Sequence, residues 1–115
     1  MQLVKRSEVL LINFGEPFGS EQGFIRPGIV VQDDYANSLS PTTIVIPITS
    51  NLAAKHLPSN VFLIPDKNGL KTQSIALTNQ VKMIDRKRIY KKLGFLADND
   101  MERIDTALRR ILALE

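Results

Sequence analysis

The chain has 115 residues, 43% apolar and 23% charged, a balance that suits one globular domain over residues 1–115. Its net charge of +3 leans toward acidic or polyanionic partners. It holds no cysteine and one histidine, His56, which removes disulfides, thiolate metal sites and a two-histidine acid–base pair within one chain, and fits a reducing cytoplasm.

In chain order, Glu8 to Phe14 reads as a buried strand. The apolar opening is interrupted at Asn13, so neither a signal peptide nor a membrane span is expected, and the protein is expected to be soluble and cytoplasmic. Gly15 to Ile25 is a long loop rich in turn formers, a length that usually means function or mobility. Arg26 to Gln32 is the second strand, and Asp33 to Pro41 is a polar connection. Thr42 to Ile48 is a third strand, rich in β-branched residues. Thr49 to Ser59 is a polar excursion that carries His56, read as an exposed loop histidine. Asn60 to Ile64 is a short strand, and Pro65 to Gly69 is a turn with an Asn-Gly signal. Ser74 to Leu77, Gln80 to Ile84 and Tyr90 to Leu96 complete the strands.

The period then changes. Met101, Ile104, Leu108, Ile111 and Leu112 recur at helical spacing, with Asn99 as expected N-cap and Glu102 completing a capping box. Asp98 and Asp100 suit the positive start of that helix; Arg109 and Arg110 suit its end. The expected fold is mainly β (α+β), a small barrel or strongly curved sheet with one C-terminal helix.

The inventory narrows the chemistry. Asp33 and Asp34 are adjacent and read as solvated loop carboxylates rather than metal ligands, and no phosphate loop or dinucleotide fingerprint is present. No metal or cofactor is expected. RNA cleavage stays open, because the substrate brings its own nucleophile, the 2′-OH. Arg26, restricted to extended geometry by Pro27, can bind phosphate oxygens bidentately and stabilise developing charge. If the second and third strands are neighbours, Thr49 can meet it and hydrogen-bond the same phosphate. Glu21 can accept a proton, although a carboxylate is a weak base at neutral pH. An arginine at a strand start is ordinarily solvated or ion-paired, and a threonine after a strand is ordinarily a turn former, so on the residues alone both readings stand. Lys82, Arg86, Lys87, Arg88, Lys91 and Lys92 form a basic cluster that suits either phosphates or solvent.

The order and spacing of several blocks resemble the MazF/PemK-type toxin endoribonucleases of bacterial toxin–antitoxin systems. They are Lys5-Arg6-Ser7-Glu8-Val9, Gly19-Ser20-Glu21-Gln22-Gly23-Phe24-Ile25-Arg26-Pro27, Val30-Val31-Gln32-Asp33-Asp34 with Asn37 and Ser40-Pro41-Thr42, Pro47-Ile48-Thr49-Ser50, and the stretch from Ser74 to Asp85. The resemblance implies an SH3-like barrel, a homodimer, metal-free cutting of single-stranded mRNA at short motifs, and a cognate acidic antitoxin. It implies a catalytic pair of Arg26 and Thr49 with Glu21 nearby, and RNA contacts from Ser20, Gln22, Ser50, Asn51, Gln80 and Lys82, with Phe18 stacking on a base. Lys82 stands where arginine is common, keeping the charge without the planar fork. The alternative from another class is a toxin of related fold that binds and poisons a protein such as DNA gyrase.

Overall fold

The computed structural model describes residues 3–53 and 58–114; His56 lies outside them. Seven strands and two α-helices follow in the order β1 (Glu8–Asn13), β2 (Ile25–Val30), α1 (Asp34–Leu39), β3 (Thr42–Thr49), β4 (Val61–Leu63), β5 (Ser74–Ala76), β6 (Lys82–Asp85), β7 (Ile89–Phe95) and α2 (Asp98–Ile111). Short 3-10 turns at Thr78–Gln80 and Arg86–Arg88 flank β6.

All strand pairs are antiparallel. The ladder runs β4-β5-β3-β2-β1-β7, and β6 pairs with the first half of β3. β3 is the hub because its run of β-branched residues is long enough to hold β2 along one edge and β6 and β5 end to end along the other.

Alternation along the strands divides the core between the two faces of the sheet. Val9, Ile29, Ile46 and Ile48 face one way and pack with Leu63, Leu96 and the α2 residues Met101, Ile104 and Ala107. Leu10, Ile12, Val30 and Val45 face the other way and pack with Phe14 and Ile84. Both faces are therefore covered, which explains why these strands read as continuous apolar runs.

The expectation of a mainly β fold with a C-terminal helix holds, with the sheet open rather than closed by hydrogen bonds. Its two ends, β4 and β7, do not pair. The loop after β4 spans the gap, and Phe95 N–H donates to the Lys67 carbonyl at 3.2 Å. Gly94 makes this seam possible, since a Cβ there would sit 2.1 Å from the Lys67 oxygen. Asn68 holds the loop in shape: buried, it donates to the Ile64 carbonyl and accepts from the amides of Asp66 and Leu70.

Three local expectations are corrected. The polar connection after β2 contains α1, capped by Asp33, whose carboxylate accepts from Ala36 N–H at 3.2 Å. Asn99 is not the N-cap of α2; the helix begins at Asp98 after Ala97, which offers no side-chain cap. Of the expected helical stripe, Ile111 and Leu112 stay exposed, while Ala107 is buried in their place.

Candidate active site

The long loop between β1 and β2 is tied at its neck. Phe24 N–H donates to the Gly15 carbonyl at 2.6 Å, and Phe14 N–H donates to the Phe24 carbonyl at 2.8 Å. Inside the neck the chain is so close-packed that a Cβ at Gly23 would lie 2.5 Å from Pro17. Phe24 itself adopts φ +61°, an uncommon region for a residue with a side chain. The loop tip is held by the turn before β6: Gln80 Oε1 accepts from Gln22 N–H at 2.8 Å, and Gln80 Nε2 donates to the Ser20 carbonyl at 3.4 Å. Loop length alone suggested function or mobility; these bonds give it a defined shape.

The neck positions Arg26. Its Nε donates to the Gly23 carbonyl at 2.8 Å, and among the described residues neither Nη atom has a hydrogen-bond or ion-pair partner. β2 pairs with β3 so that Gly28 faces Pro47, Ile29 faces Ile46 and Val30 faces Val45. The pairing ends at Gly28 and Pro47, so Arg26 and Thr49 each lie two residues past the last pair, where β2 begins and β3 ends. By strand alternation Arg26 shares its side of the sheet with Val30, and Thr49 with Val45, both members of one core cluster. Lys82 pairs with Val45 and joins the same side. Thr49 is buried, and its Oγ1 accepts from Asn51 N–H at 3.1 Å, which leaves the hydroxyl proton to donate elsewhere.

The ten candidate residues do not gather in one hollow. Glu21, Gln22, Gln80 and Lys82 line a depression beside the loop tip. Arg26 and Ser50 line a separate cleft of about 500 Å³, where β2 begins and β3 ends. Phe18 is 83% exposed at the loop tip, available to stack. Ser20 and Asn51 are exposed as well, with Asn51 Oδ1 accepting from Ala53 N–H. Lys71 and Lys91 also line the Arg26 cleft. Lys91 had been visible only as part of the basic cluster, and nothing in the sequence around Lys71 marked it.

That basic cluster divides. Arg86 is spent on structure, donating from Nη2 to the Asn37 carbonyl. Lys92 Nζ lies 3.0 Å from Glu8. Arg88 Nη1 donates to the Asn13 carbonyl at 3.3 Å. Asn37, fully buried, anchors α1: its Oδ1 accepts from Thr43 and Gln32, and its Nδ2 donates to the Gln32 carbonyl and to Asp34. Asp34 accepts from the Arg6 amide at 2.7 Å; that bond, the largest influence, outweighs the opposing effect of burial, second in size, and with Asn37 and the charges of Lys5 and Arg6 lowers its pKa. Asp33 and Asp34 therefore serve α1. Among the described residues no three His, Asp or Glu side chains gather as a metal site, and no helix is long and apolar enough to cross a membrane.

Residues 5–112 match the model of the PemK-like, MazF-like toxin of type II toxin–antitoxin systems. The chain is similar to endoribonuclease EndoA of Bacillus subtilis, 38% identical over 112 residues that make up 97% of each protein. Its fold matches the crystal structure of MazF from Deinococcus radiodurans with a TM-score of 0.83 at 23% identity, covering 98% of this chain and 99% of that one. It also matches a mycobacterial endoribonuclease solved in complex with its cognate antitoxin, with a TM-score of 0.79 at 18% identity over 100% of this chain and 98% of that one. With its order of strands and its terminal helix, and with a family match spanning nearly its whole length, this chain belongs to the PemK-like, MazF-like toxins of type II toxin–antitoxin systems.

Proposed function

We propose that this protein is the endoribonuclease toxin of a toxin–antitoxin pair, a single toxin domain over residues 1–115 that acts in the cytoplasm and cuts single-stranded mRNA at a short sequence motif. The observation that supports the reading most is the end of the β2–β3 ladder: Arg26, with neither Nη atom bonded among the described residues, lies two residues past the last pair on β2, and the Thr49 hydroxyl two residues past it on β3. A phosphodiester between them receives two parallel N–H donors from the guanidinium and one O–H donor from the threonine. Those donors stabilise the charge that builds on the non-bridging oxygens as the phosphorus becomes five-coordinate.

The nucleophile is the substrate's own 2′-oxygen. It attacks phosphorus, the bond from phosphorus to the 5′-oxygen breaks, the 2′-hydroxyl proton passes to a base, and the leaving 5′-oxygen takes up a proton. The products carry 2′,3′-cyclic phosphate and 5′-hydroxyl ends. Glu21 is the carboxylate of the neighbouring depression and the candidate acceptor of the first proton. This inventory asks nothing of a metal or cofactor. Ser20, Gln22, Ser50, Asn51 and Lys82 surround the path and supply polar contacts to bases and phosphates, and exposed Phe18 supplies a stacking ring. The working unit is a homodimer, and a cognate acidic antitoxin competes for the same basic surface, in keeping with the antitoxin bound to the mycobacterial relative.

The test is a substrate with one 2′-deoxy sugar at the cut site, placed after the motif has been mapped on unmodified RNA. It is expected to survive while the all-ribose strand is cut to cyclic-phosphate ends, with a chelator present throughout. Cutting of the deoxy substrate, or loss of activity on chelation, refutes the mechanism. Wild-type protein that cuts no RNA and instead inhibits a topoisomerase supports the gyrase-poison reading.

A further inference from the structure

The cleft beside Arg26 concentrates charge in a way the whole chain does not. Its lining includes Arg26, Lys71 and Lys91 and no carboxylate, although the net charge of the entire chain is only +3. Neither lysine has an ion-pair partner among the described residues, whereas Lys92, the next residue along β7, is paired with Glu8. The two lysines arrive from separate elements. Lys91 sits on β7, opposite Leu11 of β1, which in turn faces Pro27 of β2. Lys71 sits on the loop that bridges the open seam and leans on β7. Two strand spacings, about 10 Å, separate Lys91 from the start of β2. Between the cations the cleft is walled by Leu11, Leu70 and Leu93.

We propose that this cleft is a subsite for the nucleotide next to the scissile phosphate, with Lys71 and Lys91 holding its flanking phosphates and the leucine wall receiving the sugar or base. This rests on the endoribonuclease reading above. The arrangement suits RNA because its two lysines are exposed and have no ion-pair partner among the described residues, the form in which lysine binds phosphate as a point charge. Arg26 and Ser50 line the cleft themselves, where β2 begins and β3 ends, so a strand held at Arg26 is within reach of it. Such contacts add affinity and alignment without reading sequence.

The experiment measures binding of a fluorescent, uncleavable 2′-O-methyl oligonucleotide of mixed sequence across a salt series. It compares the wild-type protein, Lys71→Gln, Lys91→Gln, the double variant, and Arg109→Gln on α2 as a charge-matched control outside the cleft. Each cleft variant is expected to weaken binding at low salt and to flatten the dependence of log affinity on log salt by about 0.7, the share of one single-strand phosphate contact. The double variant is expected to show both losses, and the control neither. Melting temperatures should match the wild type, because neither lysine is buried or paired. A double variant with wild-type affinity and slope, or with a loss no greater than the control's, overturns the subsite while leaving the endoribonuclease reading intact if the protein still cuts RNA. A double variant that keeps RNA binding but loses a poly-glutamate peptide assigns the lysines to an acidic protein partner and also overturns it. A wild-type protein that neither binds nor cuts RNA removes both readings together.

Discussion

Arg6 and Arg26 mark two regions that use the same side chain in opposite ways. At the corner where the N-terminal segment meets α1 and α2, Arg6 is tied into the fold: its Nε donates to the Val31 carbonyl at 3.0 Å, its Nη2 pairs with Asp105, and its own amide is held by Asp34. Where β2 begins, Arg26 donates from Nε to Gly23, and among the described residues neither Nη atom has a partner. One region uses its charge to tie three segments together. The other uses a single bond to aim a charge that folding does not need. A guanidinium held by its stem with its fork free is pre-organised for an anion.

The largest expected effect separates these two arginines. Arg26→Ala should lower cleavage by about 100–1000-fold, the usual loss on removing one transition-state donor, with thermal stability within about 0.5 kcal/mol of the wild type. Arg6→Ala should do the reverse, costing about 1–3 kcal/mol of stability through lost bonds to a carboxylate and a carbonyl while each folded molecule cuts normally. Single-turnover cleavage and calorimetry on both variants check it. A stable but inactive Arg6→Ala protein would dissolve the distinction.

A smaller effect sharpens the comparison within the site. Gln80 holds the loop tip through Gln22 and Ser20, so Gln80→Ala should release the Gln22 amide and speed its hydrogen exchange by about fivefold, the value of one modest hydrogen bond. Gln80→Glu retains the acceptor for Gln22 N–H and should restore most of the protection. If both variants exchange like the wild type, Gln80 does not position the loop.

The smallest effect lies in the structural corner and depends on pH. The folded-state pKa of Asp34 is lowered, first by the Arg6 amide. Its stabilisation is therefore complete above the unfolded carboxyl pKa, about 3.9, and is lost as pH falls through the lower folded value. Asp34→Asn should melt below the wild type near neutral pH, and the gap should close on acidification toward about pH 3. A gap that persists in acid would mean that the carboxylate charge is not what Asp34 contributes.

Much of the sheet was legible because its strands are long runs of β-branched residues bounded by turn formers; Thr42 to Ile48 differs from the observed β3 by one residue. α1 was not, because its buried residue is Asn37, a polar side chain paid for by four hydrogen bonds, so no apolar period announces a helix. The start of α2 was misplaced at Asn99 because three consecutive residues, Asp98, Asn99 and Asp100, all suit a helix start, and tertiary packing rather than a cap set the boundary at Ala97. Arg26 and Thr49 could be paired on paper only by assuming that β2 and β3 are neighbours; the strands are neighbours, and their ladder ends two residues short of both side chains. Lys71 was illegible, since its place beside Arg26 follows from a loop crossing an open seam.

That seam separates what the fold requires from what selection can alter. Closure there depends on two backbones lying close together, secured by the missing side chain of Gly94 and the buried amide of Asn68. The exposed side chains of Lys71, Thr72 and Gln73 on the same loop carry none of that duty. A lineage can therefore rewrite them one at a time, drifting in the charge presented beside the cleft, while the architecture underneath is inherited unchanged.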